Sequence, residues 1–69
     1  MTQAVEIMYS ARNANAACDA AAKIAIDVDQ DWEREATLYR FEDDSVLVVS
    51  GPQANAYPDM EAARAAIEE

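Results

Sequence analysis

Alanine supplies 16 of the 36 hydrophobic residues of this chain, and this bias limits the core that the chain can form. The other apolar residues are 19 large side chains and a single cysteine. A chain of 69 residues with so few large apolar groups cannot divide itself between two cores. The sequence therefore predicts one domain over residues 1–69, in which elements approach closely on small side chains.

Charge is the second constraint on the chain. Fourteen acidic residues against five basic ones, without histidine, give a net charge of −9. Such a field repels nucleic acids and anionic membranes and attracts basic protein surfaces. The composition therefore favours a protein partner with a basic groove, and it disfavours direct binding of nucleic acid or of a membrane.

The reactive side chains offer little material for catalysis. Without histidine the chain lacks the usual general base near neutral pH, and Cys18 and the serines have no activating neighbour in sequence. A single cysteine cannot form an internal disulfide, and its place on an apolar helical stripe predicts a small buried hydrophobe. We expect neither an enzyme, nor a cofactor, nor a metal site, and we expect a reducing, cytoplasmic location. No segment reaches the roughly 20 apolar residues that span a bilayer.

Two segments near the N-terminus carry periodic apolar patterns. Residues 3–9 alternate, which predicts a strand, but Ile7 also falls on a helical stripe that continues through Ala11 to residue 28. Strand and helix therefore both stay open for this segment. Residues 14–26 are predicted as a helix because they are rich in alanine and follow Asn13, a good N-cap.

The second half of the chain is predicted to form a hairpin followed by a helix. Strands are predicted at residues 36–42 and 45–50 around the turn sequence EDDS, and the second strand is apolar on both faces, as in a central strand. After Gly51 and Pro52, residues 53–57 are predicted as a short edge strand. Asp59 is a good N-cap for a last helix, whose buried stripe is Met60, Ala63, Ala66 and Ile67.

These elements predict a small α+β domain of two layers. The expected order is β-α-β-β-(β)-α, or α-β-β-β-α if residues 3–9 are helical. In both, two helices cover one face of an antiparallel sheet of three to four strands. The other face of this sheet is left without a helix, which indicates a patch for a partner or a second copy.

The candidate site is an acidic run between the first long helix and the hairpin. If residues 27–35 are extended, their carboxylates project from one side at intervals of about 6.7 Å. The hairpin tip adds two more acids, and a tryptophan within the run is either an aromatic anchor or a core residue. The candidate partner-binding residues are Asp27, Asp29, Asp31, Trp32, Glu33, Glu35, Asp43 and Asp44.

The first three aspartates of this run also resemble the start of a calcium-binding loop. That loop requires glycine at its sixth position and glutamate at its twelfth, where this chain has Trp32 and Leu38. Two interpretations of the acidic run then remain. It is either a solvated face that confers solubility, or a set of carboxylates that replaces phosphates in a groove lined by arginine and lysine. Internal pairing of each acid with its own arginine would contradict the second interpretation.

In length, acidity, lack of histidine and inferred α+β architecture, the chain resembles the small inhibitors carried by phages and mobile elements, notably the anti-CRISPR proteins. This resemblance rests on no shared motif, so it assigns no residue. It implies a stoichiometric inhibitor that binds a CRISPR effector or another nucleic-acid-handling protein and blocks its nucleic-acid site. The alternative is a structural or regulatory module that forms a homodimer through the uncovered sheet face, with acids that serve solubility alone.

Overall fold

The structure is a computed structural model that describes residues 2–68 of the chain. Its strands form one antiparallel sheet in sequence order, β1-β2-β3-β4. The elements are α1 Gln3–Ser10, α2 Ala14–Ile24, β1 Asp27–Asp31, β2 Ala36–Arg40, β3 Val46–Ser50, β4 Gln53–Tyr57 and α3 Met60–Glu68. The α+β class with an antiparallel sheet is therefore confirmed.

The first element is a helix, so the strand predicted for residues 3–9 is wrong and the helical alternative is correct. Thr2 caps α1, because its side-chain oxygen accepts a hydrogen bond from the backbone N–H of Val5 at 3.3 Å. Ala4 and Ile7, three positions apart, are buried against the rest of the core. The alternation in residues 3–9 is compatible with both structures, and the cap and the buried helical stripe favour the helix.

The second helix matches its prediction and ends slightly earlier. Asn13 caps α2 by accepting a hydrogen bond from the backbone N–H of Ala16 at 2.8 Å. Ala17 and Ala21 are almost wholly buried, and these small side chains let the helix lie close to the sheet. The helix ends at Ile24, two residues before the predicted end, and the side chain of Ile24 is exposed.

The hairpin of β2 and β3 is confirmed, and β4 pairs with β3 at the edge of the sheet as predicted. In β3, Val46, Leu47 and Val48 are all buried, as expected of a central strand with apolar groups on both faces. The sheet gains a fourth strand from the acidic run, because β1 pairs antiparallel with β2.

Helices cover both faces of this sheet, which differs from the predicted two layers. On the α1/α2 face, Tyr39, Phe41 and Leu47 pack with the buried residues of the first two helices. On the α3 face, Leu38, Val46 and Val48 pack with Ala63. The third helix therefore covers the sheet face whose exposure was the reason to expect a homodimer.

Helix α3 follows its prediction at the N-terminus. Asp59 accepts a hydrogen bond from the backbone N–H of Ala62 at 2.8 Å, as an N-cap does. Ala63 is fully buried, with Met60 and Ile67 partly buried beside it, whereas Ala66 is exposed. Within residues 2–68 no helix combines the length and the apolarity that crossing a bilayer requires.

Candidate protein-binding interface

The three aspartates of β1 lie on one face of the sheet. Asp29 is directly opposite Leu38 of β2, and directly paired residues in a sheet point to the same side. Leu38 packs on the α3 face, so Asp27, Asp29 and Asp31 share that face. Their Cβ atoms follow one another at about 6.7 Å, twice the rise of a strand residue.

The acidic run is extended only as far as Asp31. Residues 32–35 form the turn that joins β1 to β2, and Glu35 has a φ of 54°. Glu33 and Glu35 are exposed in this turn and do not continue the row of β1. The predicted row of five evenly spaced carboxylates is therefore replaced by three on the strand and two on the turn.

Trp32 opens this turn and lies largely in solvent. Its exposed fraction is 78%, the highest among the large hydrophobic residues that are exposed. The core is instead closed by Phe41, Leu38, Leu47 and Val46. Of the two roles that the sequence left open for Trp32, burial in the core is wrong, and its indole is available to a partner.

Each aspartate of β1 has an arginine beside it. Asp31 pairs with Arg34 of the adjoining turn at 3.0 Å, and Asp27 lies 3.7 Å from Arg40 of β2. Asp29 forms an ion pair with Arg64, which reaches across from α3. The condition that contradicts phosphate replacement is therefore met for these three acids, and their charge is partly balanced within the chain.

Asp31 is the most strongly held of the three. The backbone N–H of Arg34 donates to Oδ1 of Asp31 at 3.2 Å, and this hydrogen bond is the main cause that lowers the pKa of Asp31 below its ordinary value. The Arg34 guanidinium adds a second hydrogen bond to Oδ2. Asp31 therefore fixes the start of the turn that presents Trp32.

The acids at the tip of the β2–β3 hairpin differ from each other. The carboxylate of Asp43 accepts hydrogen bonds from the backbone of Gln3 and from both polar groups of Ser45. The Ser45 hydroxyl is the first cause that lowers the pKa of Asp43. Asp44, with a φ of 69°, leaves its side chain 79% exposed and lies 3.8 Å from Arg40. The carboxylate of Asp44 is thus accessible to a partner, whereas both oxygens of Asp43 accept hydrogen bonds within the chain.

The predicted residues form two groups that β1 connects. The turn with Trp32 precedes β2 and the hairpin tip follows it, so these groups lie about 17 Å apart, the length of a strand of five residues. We call the eight predicted residues together the acidic surface. Together with Glu42, residues 27–44 hold eight acids, and three arginines pair with the aspartates of β1, two from within these residues and Arg64 from α3, so five negative charges remain. Among residues 2–68, no ion pair involves Glu33 or Glu35.

Other reactive groups do not assemble into a site in the described part of the chain. No cluster of three or more potential metal ligands occurs among residues 2–68. Cys18 is half-buried, with its Sγ 2.6 Å from the hydroxyl of Tyr39. Burial, followed by the contact with Cys18, raises the pKa of Tyr39 to about 12. A tyrosine with this pKa does not serve as a base near neutral pH.

Sequence reasoning missed Arg64 as part of this region. Arg64 lies 35 residues from Asp29, and only the placement of α3 on the face of the aspartates brings them together. Arg34 lies three residues after Asp31 and Arg40 lies four residues before Asp44, so these two pairings are close in sequence.

Comparison with known proteins agrees with the acidic inhibitor class. A family model described as Anti-CRISPR protein AcrF2 matches residues 6–67, which is 62 of the 69 positions. The chain belongs to the AcrF2 anti-CRISPR family. No curated protein and no solved structure matches it.

Membership of the AcrF2 family gives the chain its general role. Anti-CRISPR proteins inhibit CRISPR systems, so the partner of this chain is a CRISPR-associated protein complex, and the family is generally non-enzymatic. The resemblance drawn from size, charge and architecture is confirmed. The match includes both turns and β1, so the whole acidic surface lies within the part of the chain that is shared with AcrF2.

Proposed function

We propose that this AcrF2-family chain inhibits a CRISPR effector in the host cytoplasm by occupying a basic nucleic-acid groove with its acidic surface. The observation that carries the proposal is an excess of five negative charges, which lie on the β1–β2 turn and at the β2–β3 hairpin tip, at the two ends of β1. A groove that binds nucleic acid is lined by lysine and arginine, and carboxylates are suitable partners for both.

Exposure divides the acidic surface by role. Glu33, Glu35 and Asp44 are exposed, and they make the first charge contacts with the groove. Asp27 and Asp29 keep about half of their side-chain surface open, so a basic residue of the target can approach them beside their own arginines. Asp43 contributes charge while its oxygens remain bound within the fold.

Trp32 adds a contact that does not depend on charge. It lies beside Glu33 at the end of β1, where a large aromatic ring can enter a pocket of the target while the acids meet the basic rim. Tryptophan is enriched among residues that dominate binding energy, because its ring buries a large area with few rotatable bonds. The combination explains how a small surface could gain both a fast approach and a slow release.

Paired neutralisation with a matched control tests this function. The double variant Glu33→Gln/Glu35→Gln removes two charges from the acidic surface, and Glu6→Gln/Asp19→Asn removes two exposed charges from α1 and α2. We expect the first pair to weaken binding to a purified, inhibitor-sensitive CRISPR effector by about tenfold or more, and the control pair by much less. Binding should also weaken steeply as salt rises from about 0.05 M to about 0.5 M.

A competition measurement addresses the groove itself. Target DNA labelled with a fluorophore should fail to bind the effector that is already saturated with this chain, and excess DNA should slow the association of the chain. Simultaneous binding of both, or equal losses for the two double variants, would contradict groove occupation while leaving the family assignment intact.

A further inference from the structure

The outer edge of β1 has backbone groups without a strand partner. The backbone N–H of Phe41 donates a hydrogen bond to the carbonyl oxygen of Ser45 at 3.0 Å, so the backbone groups of Phe41 point towards the β3 side of β2. Successive residues of a strand point their backbone groups to opposite sides. The backbone groups of Arg40, Leu38 and Ala36 therefore face β1. They meet Asp27, Asp29 and Asp31, so the backbone N–H and C=O of Val28 and Gln30 point away from the sheet.

Apolar side chains accompany this free edge. Val28 is opposite Tyr39 and lies on the α1/α2 face, yet it is 53% exposed. Ile24 and Ile26, which come just before β1, are also about half exposed. The edge thus carries aspartates on one face of the sheet and exposed aliphatic groups on the other. Natural proteins usually protect a free edge or use it for pairing.

The β1 strand of a second copy does not fit the edge. In an antiparallel pairing of two β1 strands, the outward groups of Val28 and Gln30 must face each other. Every such register places odd-numbered residues opposite odd-numbered ones, and these are all aspartates. Like charges would then lie about 5 Å apart in each pair, which destabilises the pairing. The aspartates favour a strand with basic residues at alternate positions, and no segment of this chain has them, since its five basic residues are at least six positions apart. The edge therefore favours a strand from another protein.

We propose that the outer edge of β1 accepts an extended, basic segment of a partner protein as an added antiparallel strand. The segment carries lysine or arginine at every second position, facing Asp27, Asp29 and Asp31, and aliphatic residues between them, beside Val28. Backbone hydrogen bonds to Val28 and Gln30 supply binding that charge alone does not supply. This mode goes beyond groove occupation and does not depend on it.

A synthetic peptide is a direct probe of this edge. The capped peptide Lys-Val-Lys-Val-Lys-Val-Lys has the required alternation, and a peptide of the same composition with its lysines contiguous is the control. We expect the alternating peptide to slow amide hydrogen exchange at Val28 and Gln30 by about tenfold or more, and the control peptide to leave these amides unchanged. Equal binding of both peptides without protection of the two amides would overturn the proposal.

Backbone methylation of the peptide tests the register. In an antiparallel addition, the peptide residues that exchange hydrogen bonds with Val28 and Gln30 share their face, so they are valines. Methylation of the valine nitrogens should abolish binding, whereas methylation of the lysine nitrogens, with the same charge, should preserve it. Retained binding by the peptide methylated at valine would overturn the proposal without any change to the protein.

A variant of the protein gives a second test. Val28→Pro removes an N–H that points away from β2, and proline is tolerated at such positions of edge strands. Val28→Thr keeps this N–H and a branched side chain, so it is the matched control. We expect Val28→Pro to lose at least about tenfold in affinity for the alternating peptide and Val28→Thr to lose little. Unchanged affinity of a folded Val28→Pro protein would overturn the proposal.

Discussion

Asp43 at the tip of the β2–β3 hairpin accepts a hydrogen bond from the backbone N–H of Gln3, 40 residues earlier, at 2.9 Å. The other carboxylate oxygen accepts from the backbone N–H of Ser45 at 3.1 Å and from its hydroxyl at 2.5 Å. The fully buried hydroxyl oxygen of Ser45 in turn accepts from the backbone N–H of Ala4. Asp43 and Ser45 together therefore satisfy two N–H groups of the first turn of α1, which have no partner within the helix.

This arrangement predicts that Asp43→Asn lowers stability at neutral pH and that the effect disappears in acid. The folded state lowers the pKa of Asp43, so its stabilising contribution is complete above about pH 4, where the carboxylate is also ionised in the unfolded chain. The contribution is lost as pH falls through the lower, folded pKa. Thermal unfolding followed by circular dichroism from pH 7 to pH 2 would measure the difference in melting temperature between wild type and variant.

Asp44→Asn is the control for this prediction. It removes the same charge from the neighbouring position of the hairpin tip, where the carboxylate makes a long, exposed ion pair with Arg40 at 3.8 Å, so it reports the change in charge without the hydrogen bonds of Asp43. Its melting temperature should differ little from that of wild type at neutral pH. Gaps of equal size and equal pH dependence for the two variants would show that the hydrogen bonds of Asp43 have no separate effect.

The burial of Tyr39 predicts a second pH dependence of stability, at alkaline pH. Burial raises its pKa to about 12, so the fold disfavours the phenolate and its contribution to stability is complete below about pH 10. That contribution is lost as pH rises from about 10 towards 12. Absorbance of tyrosinate should show a late phase that Tyr39→Phe removes and that Tyr9→Phe, at an exposed position, leaves in place. A titration without this late phase in wild type would contradict the buried placement of Tyr39.

The elements that sequence could predict are those with local signals. Asn13 and Asp59 cap their helices through hydrogen bonds to residues three positions later, and such caps can be recognised from residue type and spacing. The hairpin follows from an apolar strand beside a polar turn. Their prediction succeeded because the forces that form them act within a few residues.

The features that sequence could not settle depend on distant partners. Residues 3–9 fit two periodicities, and the choice of helix rests on burial of Ala4 and Ile7 with sheet residues more than 30 positions later, Tyr39, Phe41 and Leu47. The pairing of Asp29 with Arg64 likewise requires that α3 lie on one face of the sheet and α1 and α2 on the other. The sequence shows that the acids are close together along the chain, but neither the end of the row at Asp31 nor which acids keep a free charge could be predicted from it.

The exposure of Trp32 predicts that its substitution affects binding to the effector and has little effect on stability. With 78% of its surface exposed, Trp32→Ala should change the free energy of unfolding by no more than about 0.5 kcal/mol. If the indole enters a pocket of the CRISPR effector, the same change should weaken binding by about tenfold or more, which is about 1.4 kcal/mol. Trp32→Phe keeps an aromatic ring, so its affinity for the effector should lie between those of wild type and Trp32→Ala. Unchanged affinity for Trp32→Ala would exclude it as an anchor.

The arginines that pair with the acidic surface allow a test of whether negative charge strengthens binding to the effector. Arg64→Gln removes the partner of Asp29 and leaves its carboxylate free, at a cost in stability of less than about 1 kcal/mol because both side chains are about half exposed. If the surface acts by its negative charge, Arg64→Gln should strengthen binding to the effector by a few-fold, and Asp29→Asn should weaken it. The double variant should return close to the wild-type affinity, since the two charge changes cancel.

Arg12→Gln, in the exposed link between α1 and α2, removes one positive charge away from this surface and serves as the matched control. Its effect on affinity should be small at physiological salt, because contacts beyond about 8 Å are screened there. Association and dissociation rates measured for all four variants would separate long-range attraction, which changes the association rate, from direct contacts, which change dissociation. Weaker binding by both Arg64→Gln and Asp29→Asn would mean that the target recognises the intact ion pair, and the free charge of Asp29 would then have no part in inhibition.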